Sequence, residues 1–595
     1  MKILARSLEA AGQPDKVVTP HPINQALSKG DVMSFHCCDS SASTRRSRWL
    51  FLLPLFLLSV AGGARAQNVG VPAAPTPATA VPASPYTGRL SFKPVPAQIA
   101  GPQGLRGYVV EGKLRLTLED AIRLTLLNNT EVHVNHTPVD QARFNLLNAY
   151  APFDPRLSSN LAATRATTPS TNQLVGAPTL STLFQGGFGN YSQTFETGTN
   201  FQASFNGNRS TTNSSFYFLN PYLTSNLGLQ LTQPLLRNRG LFPNRAPIVI
   251  ARRNLNQSEE TFEGAVNNSI QQAVFQYWNV VQARENLKVV EESLHAAEAT
   301  YQHDKRALEL GALSPLDIYR SESQVAQRRV SEIQAEYQLK QAEDQFRPVI
   351  GADLDPFIQA LDLDLVENPE PQGELYSIDA KTALDEAFRK RPELEAARQQ
   401  LASDETNFRL ARNGLLPDLE LIGNYQSNGV GGNQITTASV IVPGGFGDAL
   451  SQLFHFSYPT YGVTLQLNLP VHNRAARAAL GTASVARRND LYQIRRQEQT
   501  VRLDVLNSVH QLEEAKLSLE AAKIARGLAQ KTLESEQRKY ELGAGQIFLV
   551  LEAQTELTQA EVSLVQSEVS YQLSLTAVDH ATGRLLEKHR VEIKD

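Results

Sequence analysis

From Ser457 to Pro470 the chain carries no charged residue, and within that run Tyr461, Val463, Leu465, Leu467 and Leu469 alternate with Gly462, Thr464, Gln466 and Asn468. A period of two is the period of a strand. One apolar face backed by an uncharged polar one, over about ten residues, is the pattern of a strand with lipid on one side and water on the other. A soluble sandwich also alternates, but it usually places charge on its wet face. Leu227, Leu229 and Leu231 alternate in the same way with Gly228, Gln230 and Thr232. Leu419, Leu421, Gly423 and Tyr425 give a weaker case, as do Leu157, Leu161 and Ala163. Between Pro155 and Leu236 only Arg156, Arg165, Glu196 and Arg209 are charged. Aromatics crowd the same regions, among them Phe201, Phe205, Tyr222, Phe446 and Tyr458, as at a membrane interface.

These patterns predict strands at about 155–166, 225–236, 417–427 and 457–470. Four strands cannot close a barrel, and an open edge is not tolerated in lipid, so the remaining wall must come from further copies of the chain. Thr164–Asn226 and Ser427–Phe456 read as extracellular loops; Phe195–Phe205 alternates, and a hairpin there would extend the barrel.

The rest of the chain is long helix. Ala273, Val280, Leu287, Leu294, Tyr301 and Leu308 recur every seven residues, as do Val505, Leu512, Leu519, Leu533 and Tyr540, with Arg526 breaking the run, and then Val550, Leu557, Leu564, Tyr571 and Val578. Sustained sevens mean coiled-coil packing, which needs lateral neighbours. The predicted helices run over 118–150, 244–310 and 315–350, and again over 380–413, 474–542 and 546–582. The two longest would each reach roughly 100 Å at 1.5 Å per residue. This order of elements occurs twice. At one offset of 262, Ala121 matches Ala383, Glu131 matches Glu393 and Pro155 matches Pro417; "LQLTQP" at Leu229 returns as "LQLNLP" at Leu465, and Gly311 returns as Gly543. The chain therefore reads as two repeats, 115–350 and 377–583, joined by a linker at 351–376 and followed by a tail at 584–595. Gly311 and Gly543 suit helix C-termini and Pro315 a first helical turn.

The N-terminus reads as an export signal. Arg45, Arg46 and Arg48 precede the apolar run "WLFLLPLFLLSVAGG", and "ARA" at Ala64–Ala66 places cleavage before Gln67. Met1 or Met33 could serve as the start. Residues 67–114 are Pro-rich and read as an extended tail. Both cysteines lie at Cys37 and Cys38, so the exported part has neither a disulfide nor, at Gln67, a cysteine for a lipid anchor.

Catalysis finds no support: there is no Walker A loop, no G-x-S-x-G elbow and no H-E-x-x-H. His133 and His136 have no third ligand nearby. No cofactor or metal is expected, and a net charge of −4 gives no basic excess for nucleic acid. The rival class is an exported periplasmic coiled-coil scaffold or adaptor without channel activity, which would explain the heptads and the signal but not the uncharged alternating segments.

The doubled order of elements, the strand entries at Pro155 and Pro417, the strand exit at Pro234 and the two glycine turns resemble the TolC-like outer-membrane efflux proteins over about residues 115–585. The resemblance implies an α+β membrane protein: a homotrimer whose 12-stranded barrel, four strands per chain, continues into a periplasmic α-helical coiled-coil barrel. It implies outer-membrane localisation, contact with outer-membrane lipid, a periplasmic adaptor protein and an inner-membrane transporter of RND or ABC type, serving efflux or type I secretion. It places the hairpin tips, with Gly311, Pro315, Gly543 and Gly545, at the tunnel mouth where the adaptor docks. Carried over, the family's gate pairs Asp317 with Tyr540, has Gly545 where an Arg is expected, and has Leu549 and Glu552 at the positions of two Asp rings, which implies one surviving acidic ring and one apolar constriction.

Overall fold

The computed structural model describes residues 101–171, 176–311, 314–435 and 441–591. The export signal, most of the Pro-rich stretch and the last residues of the C-terminal tail lie outside the described residues.

The chain opens with β1 (Val109–Val110) and β2 (Lys113–Leu116), followed by α1 (Leu118–Asn128) and α2 (Thr130–Asn148). Four strands come next: β3 (Arg156–Pro169), β4 (Thr179–Thr194), β5 (Asn200–Thr212) and β6 (Leu219–Pro234). A helical hairpin follows, α3 (Leu241–Glu309) and α4 (Pro315–Ile350), then the short α5 (Pro356–Gln359) and β7 (Asp362–Leu365). The second half contains α6 (Ala380–Lys390), α7 (Pro392–Asn413), β8 (Asp418–Ile435), β9 (Ile441–Val442), α8 (Phe446–Phe454) and β10 (Tyr458–Asn468). It ends in a second hairpin, α9 (Arg474–Glu541) and α10 (Ile547–Thr582), with a last turn α11 (Leu585–Lys588).

Helices α3 and α9 have 69 and 68 residues, roughly 100 Å each at the standard rise. Many heptad positions of these helices and of α10 are buried, Ala273, Val280 and Leu294 on α3, Val505, Leu512, Leu519 and Leu533 on α9, Val550, Tyr571 and Val578 on α10, while Leu287, Tyr301, Leu308, Tyr540, Leu557 and Leu564 are half-buried. The single helices expected at 118–150 and 380–413 are each broken, at Asn129 and at Arg391, both with extended backbone. The causes differ. The Asn129 side chain accepts from the Glu131 and Val132 amides and so caps a new helix. Pro392 drives the residue before it out of the helical region. The two breaks stand 262 residues apart, the offset of the sequence matches.

The tail predicted over 67–114 ends earlier than expected, and the linker at 351–376 is not plain coil. Strands β1, β2 and β7 form a small sheet in which β2 and β7 run parallel. Leu105, Leu114, Leu116 and Leu365 are buried against Tyr277, Phe346 and Ile350. Leu585, in the predicted C-terminal tail, is fully buried in the same core. Apolar residues spaced for burial in a short sheet explain why these segments are ordered.

The main sheet corrects the strand count. Among the described residues it has six long strands, not four, in the order β10-β8-β6-β5-β4-β3, with the short β9 beside β8. All neighbours are antiparallel. The predicted loop 164–226 is therefore largely sheet: β4 and β5 form a hairpin set between β3 and β6. The β4–β5 turn lies at the helical end of the sheet, where Gly240 donates to the Thr197 carbonyl at 3.2 Å and Arg245 pairs with Glu196. The second predicted loop also holds structure, since β8 runs on to Ile435 and α8 lies on the sheet. Gly429 makes that possible, because a Cβ there would sit 1.9 Å from the Ala449 carbonyl oxygen. Ser225 and Ser427 donate to the carbonyls of Ala449 and Leu453 at 2.7 and 2.8 Å.

Where α3 meets α7, carboxyl groups crowd. Burial, with Glu263 and Glu395 nearby, pushes the Glu260 carboxyl up to about 7 from an ordinary 4.5. The native state then holds the extra proton between those values, so this site's contribution to stability falls as pH rises through that window. Glu260→Gln is expected to narrow the gap in thermal midpoint between pH 5 and pH 8 by a few degrees, with the variant the more stable at pH 8. Thermal melts at the two values check this, and an unchanged gap would remove Glu260 as its source.

Candidate gate at the helix tips and the polar wall of the sheet

Each hairpin turns on a glycine with left-handed backbone, Gly311 at φ 75° and Gly543 at φ 71°. After α9 the chain closes a Schellman turn: the Gly543 amide donates to the Tyr540 carbonyl and the Ala544 amide to that of Lys539, both at 2.9 Å. Pro315 is the first residue of α4, behind Ser314, whose hydroxyl caps the Leu316 amide at 3.3 Å. A Cβ on Gly545 would lie 2.9 Å from the Tyr540 backbone nitrogen. The turn itself therefore excludes a side chain at the position where the resemblance implies Arg.

Tyr540 is a tip donor, but not to Asp317. Its hydroxyl donates to Asp304 Oδ1 at 3.0 Å. Asp304, on α3, is fully buried, and its other oxygen accepts from the Ser321 hydroxyl on α4. His303 lies at the margin of this group, its ring edge against Tyr540 with centroids 6.0 Å apart. Burial, followed by the bond to Asp304 and the charge of Asp317, pushes the Tyr540 phenol far up, so it stays a donor throughout the physiological range. Asp317 itself stands in the first turn of α4, 4.0 Å from Arg320. A buried carboxyl satisfied by one group from each of two other helices ties the first hairpin to the second; unpaired, it would be costly.

The contacts next to this knot are polar too. Gln554 donates to Thr300 at 3.1 Å, Arg328 to Thr555 at 2.8 Å, and Ser293 and Thr558 share a bond of 2.9 Å. Leu549 and Glu552 are exposed on α10, whereas Val550 and Ala553 are buried.

Asp304, Ser321 and His303 were not singled out from the sequence. One signal was available: Asp304 stands three residues after Tyr301, where the heptad places the second apolar seam residue and where Ala297 is buried one heptad earlier. A charge on a seam needs a partner.

At the other end, register sorts the sheet into two faces. Tyr461, Tyr425, Leu229, Ala203, Tyr191 and Leu157 lie in one row across all six strands. The alternate face carries amides and hydroxyls. A cleft of about 700 Å³ on it is lined by Gln202, Ser204, Asn206, Asn226, Gln426 and Asn428, among others. Asn428 accepts from Asn226 at 2.6 Å and from Gln426 at 2.9 Å, a polar ladder across β6 and β8. Among the described residues no helix is long and apolar enough to cross a membrane.

Residues 200–352 and 383–584 match the outer membrane efflux protein family, more than half of the chain. The chain belongs to that family. Similar outer membrane efflux proteins include BepC of Brucella suis biovar 1, 22% identical over 373 residues, 61% of this chain and 73% of that protein. Another is a probable efflux pump outer membrane protein, TtgC, of Pseudomonas putida, 22% identical over 308 residues, 51% of this chain and 58% of the relative. Among solved structures, the CmeC outer membrane channel of Campylobacter jejuni superposes with a TM-score of 0.55 at 17% identity, over 79% of this chain and 86% of that one. The outer membrane protein VceC of Vibrio cholerae gives 0.55 at 15% identity, over 78% and 96%. As an outer membrane efflux protein, the chain combines mixed helix and sheet in the fold of these channels, and its helical hairpins answer to the coiled-coil part of them.

Proposed function

We propose that this outer membrane efflux protein is the passive exit duct of a tripartite assembly, a homotrimer whose sheets close one barrel in the outer membrane and whose hairpins form a periplasmic tunnel. The observation that carries the reading is the state of the main sheet. Among the described residues both of its long edges, β3 and β10, are unpaired in the single chain, and apolar residues on them stand in the open: Leu161 is 87% exposed and Val463 76%. A soluble chain does not leave such an edge uncovered. Strand β10 runs toward the helices and β3 away from them, so β10 of one copy meets β3 of the next antiparallel, and the ring closes without a mismatch.

The hairpin tips serve as the gate. In the closed state the knot of Asp304, Ser321 and Tyr540 holds the hairpins together, while Leu549 and Glu552 face the shared axis. A periplasmic adaptor docks at the turns around Gly311, Pro315, Gly543 and Gly545 and shifts the equilibrium by binding the open state better. Energy comes from an inner-membrane transporter, of RND or ABC type, and the cargo of efflux or type I secretion diffuses through water. The N-terminal signal directs the chain out of the cytoplasm, and processing before Gln67 leaves it without a lipid anchor.

Fractionation tests the duct. The full chain, expressed in a Gram-negative host, is expected in the outer membrane, to need detergent for extraction, and to have the mass of a trimer by light scattering. Recovery as a monomer in the periplasmic wash would overturn the reading and favour a scaffold.

A further inference from the structure

We infer that this chain builds an 18-stranded exit rather than the 12-stranded one the family resemblance implies, because the β4–β5 hairpin is part of the wall. The inference rests on the trimeric duct proposed above and adds the bore of its outer end, which sets the cargo size it passes.

Hydrogen-bond order carries the argument. For a 12-stranded barrel β3 would have to pair with β6. Instead β3 pairs with β4 along its whole length, from Arg156 opposite Ser192 to Pro169 opposite Thr179. Strand β6 pairs with β5, from Asn200 opposite Thr232 to Ser210 opposite Tyr222. The hairpin cannot swing out as a loop without breaking both ladders. Its side chains are also patterned as wall. Leu183, Tyr191, Phe201 and Phe205 fall on the apolar face, while Asn190, Gln202, Ser204 and Asn206 fall on the polar one. The polar cleft takes residues of β5 as well as of β6 and β8. An even number of antiparallel strands is kept, as closure demands.

Six strands from each of three copies make 18. With strands about 4.8 Å apart and tilted by about 40°, the backbone diameter grows from roughly 24 Å for 12 strands to roughly 36 Å for 18. Barrels of that size leave an aqueous channel rather than a side-chain-filled core. In mid-wall the polar face carries amides, hydroxyls and the two β4 aromatics Phe184 and Phe188, each 40% exposed. Such an exit suits bulky, uncharged polar cargo, which meets neither a narrow bore nor a ring of charge there.

Cysteine pairs in the full chain, with Cys37→Ser and Cys38→Ser, test the wall. Ala163 stands directly opposite Gln185 on β4, and three strands away from Leu223 in the same row, through Arg209 on β5. Under a short bifunctional thiol reagent, the trimer carrying A163C and Q185C is expected to cross-link within one chain, and the trimer carrying A163C and L223C is not. Polymer exclusion from the extracellular side of a planar bilayer is a second readout. A polymer wider than a 12-stranded bore is expected to enter and lower the conductance of the wild-type trimer. Cross-linking of A163C to L223C, or exclusion of that polymer, in a protein that is still a trimer would overturn the 18-stranded exit and leave the duct standing. A soluble monomer would overturn both.

Discussion

Asp304→Ala is expected to raise the conductance of the closed duct in planar bilayers by at least about tenfold, because it leaves the Tyr540 and Ser321 hydroxyls without their acceptor. Each buried group so orphaned costs about 1–3 kcal/mol, and about 1.4 kcal/mol is a tenfold shift in an equilibrium. That cost falls on the closed state alone, provided water reaches these groups once the hairpins separate. The change repeats in each copy of the proposed trimer, so the effect compounds. Tyr540→Phe keeps the ring against His303 and removes one bond to Asp304, so a smaller rise is expected. Asp317→Ala breaks only a long contact to Arg320 at the surface, worth about 0–1 kcal/mol, and is expected to leave conductance close to wild type. The same order should appear in cells as sensitivity to a bulky antibiotic that the closed duct excludes. A well-formed Asp304→Ala trimer with unchanged conductance would show that the knot does not hold the gate.

How far the sequence carried the fold depends on whether a signal was local. The heptads were local, and Ala273, Val280, Val505 and Leu519 are buried as their spacing required. Strand β10 was legible because apolar and polar residues alternate there without a break. Strands β4 and β5 were not, for a physical reason. Gly187, Gly189 and Gly207 interrupt the apolar alternation, and Phe184 and Phe188 stand on the polar face, so the period of two is blurred. Helix α8 was hidden among aromatics read as a loop. It needs the small residues Ser225, Ser427 and Gly429 beneath it, and those come from two strands more than 200 residues apart in the chain.

The candidate gate illustrates the same limit. Tyr540 was reachable from the resemblance because it sits beside a recognisable turn. Its acceptor was not, because hydrogen-bond choice is settled by packing. Asp317 follows the first turn by a few residues, whereas Asp304 precedes it and lies on the buried seam of α3, facing α4 and α9 together. Both acids are close enough to hold the phenol protonated. Only the one on the seam has its carboxyl within bonding distance. Gly545 likewise looked like a lost Arg, and the backbone of Tyr540 supplies the reason.

The sheet offers the sharpest contrast between two neighbouring residues. Val463 and Thr464 adjoin in the middle of β10 and point to opposite faces. Val463 shares its face with Leu421, Leu465 and Tyr461; Thr464 shares its face with Gln426, Asn424 and Gln466. If the apolar face meets lipid, Val463→Arg places a charge near mid-membrane at a cost of about 2–4 kcal/mol per copy, and Thr464→Arg places the same charge in water for about 1 kcal/mol or less. The expected result is loss of most of the detergent-resistant trimer in the first variant and near-normal assembly in the second, read on semi-native gels of outer-membrane extracts. A barrel turned the other way would reverse the order of the two variants. A sandwich with both faces covered would penalise both, since an unpaired charge buried in protein is as unwelcome as one in lipid. Only a wall with one dry and one wet side predicts that moving an arginine by one residue decides whether the trimer forms.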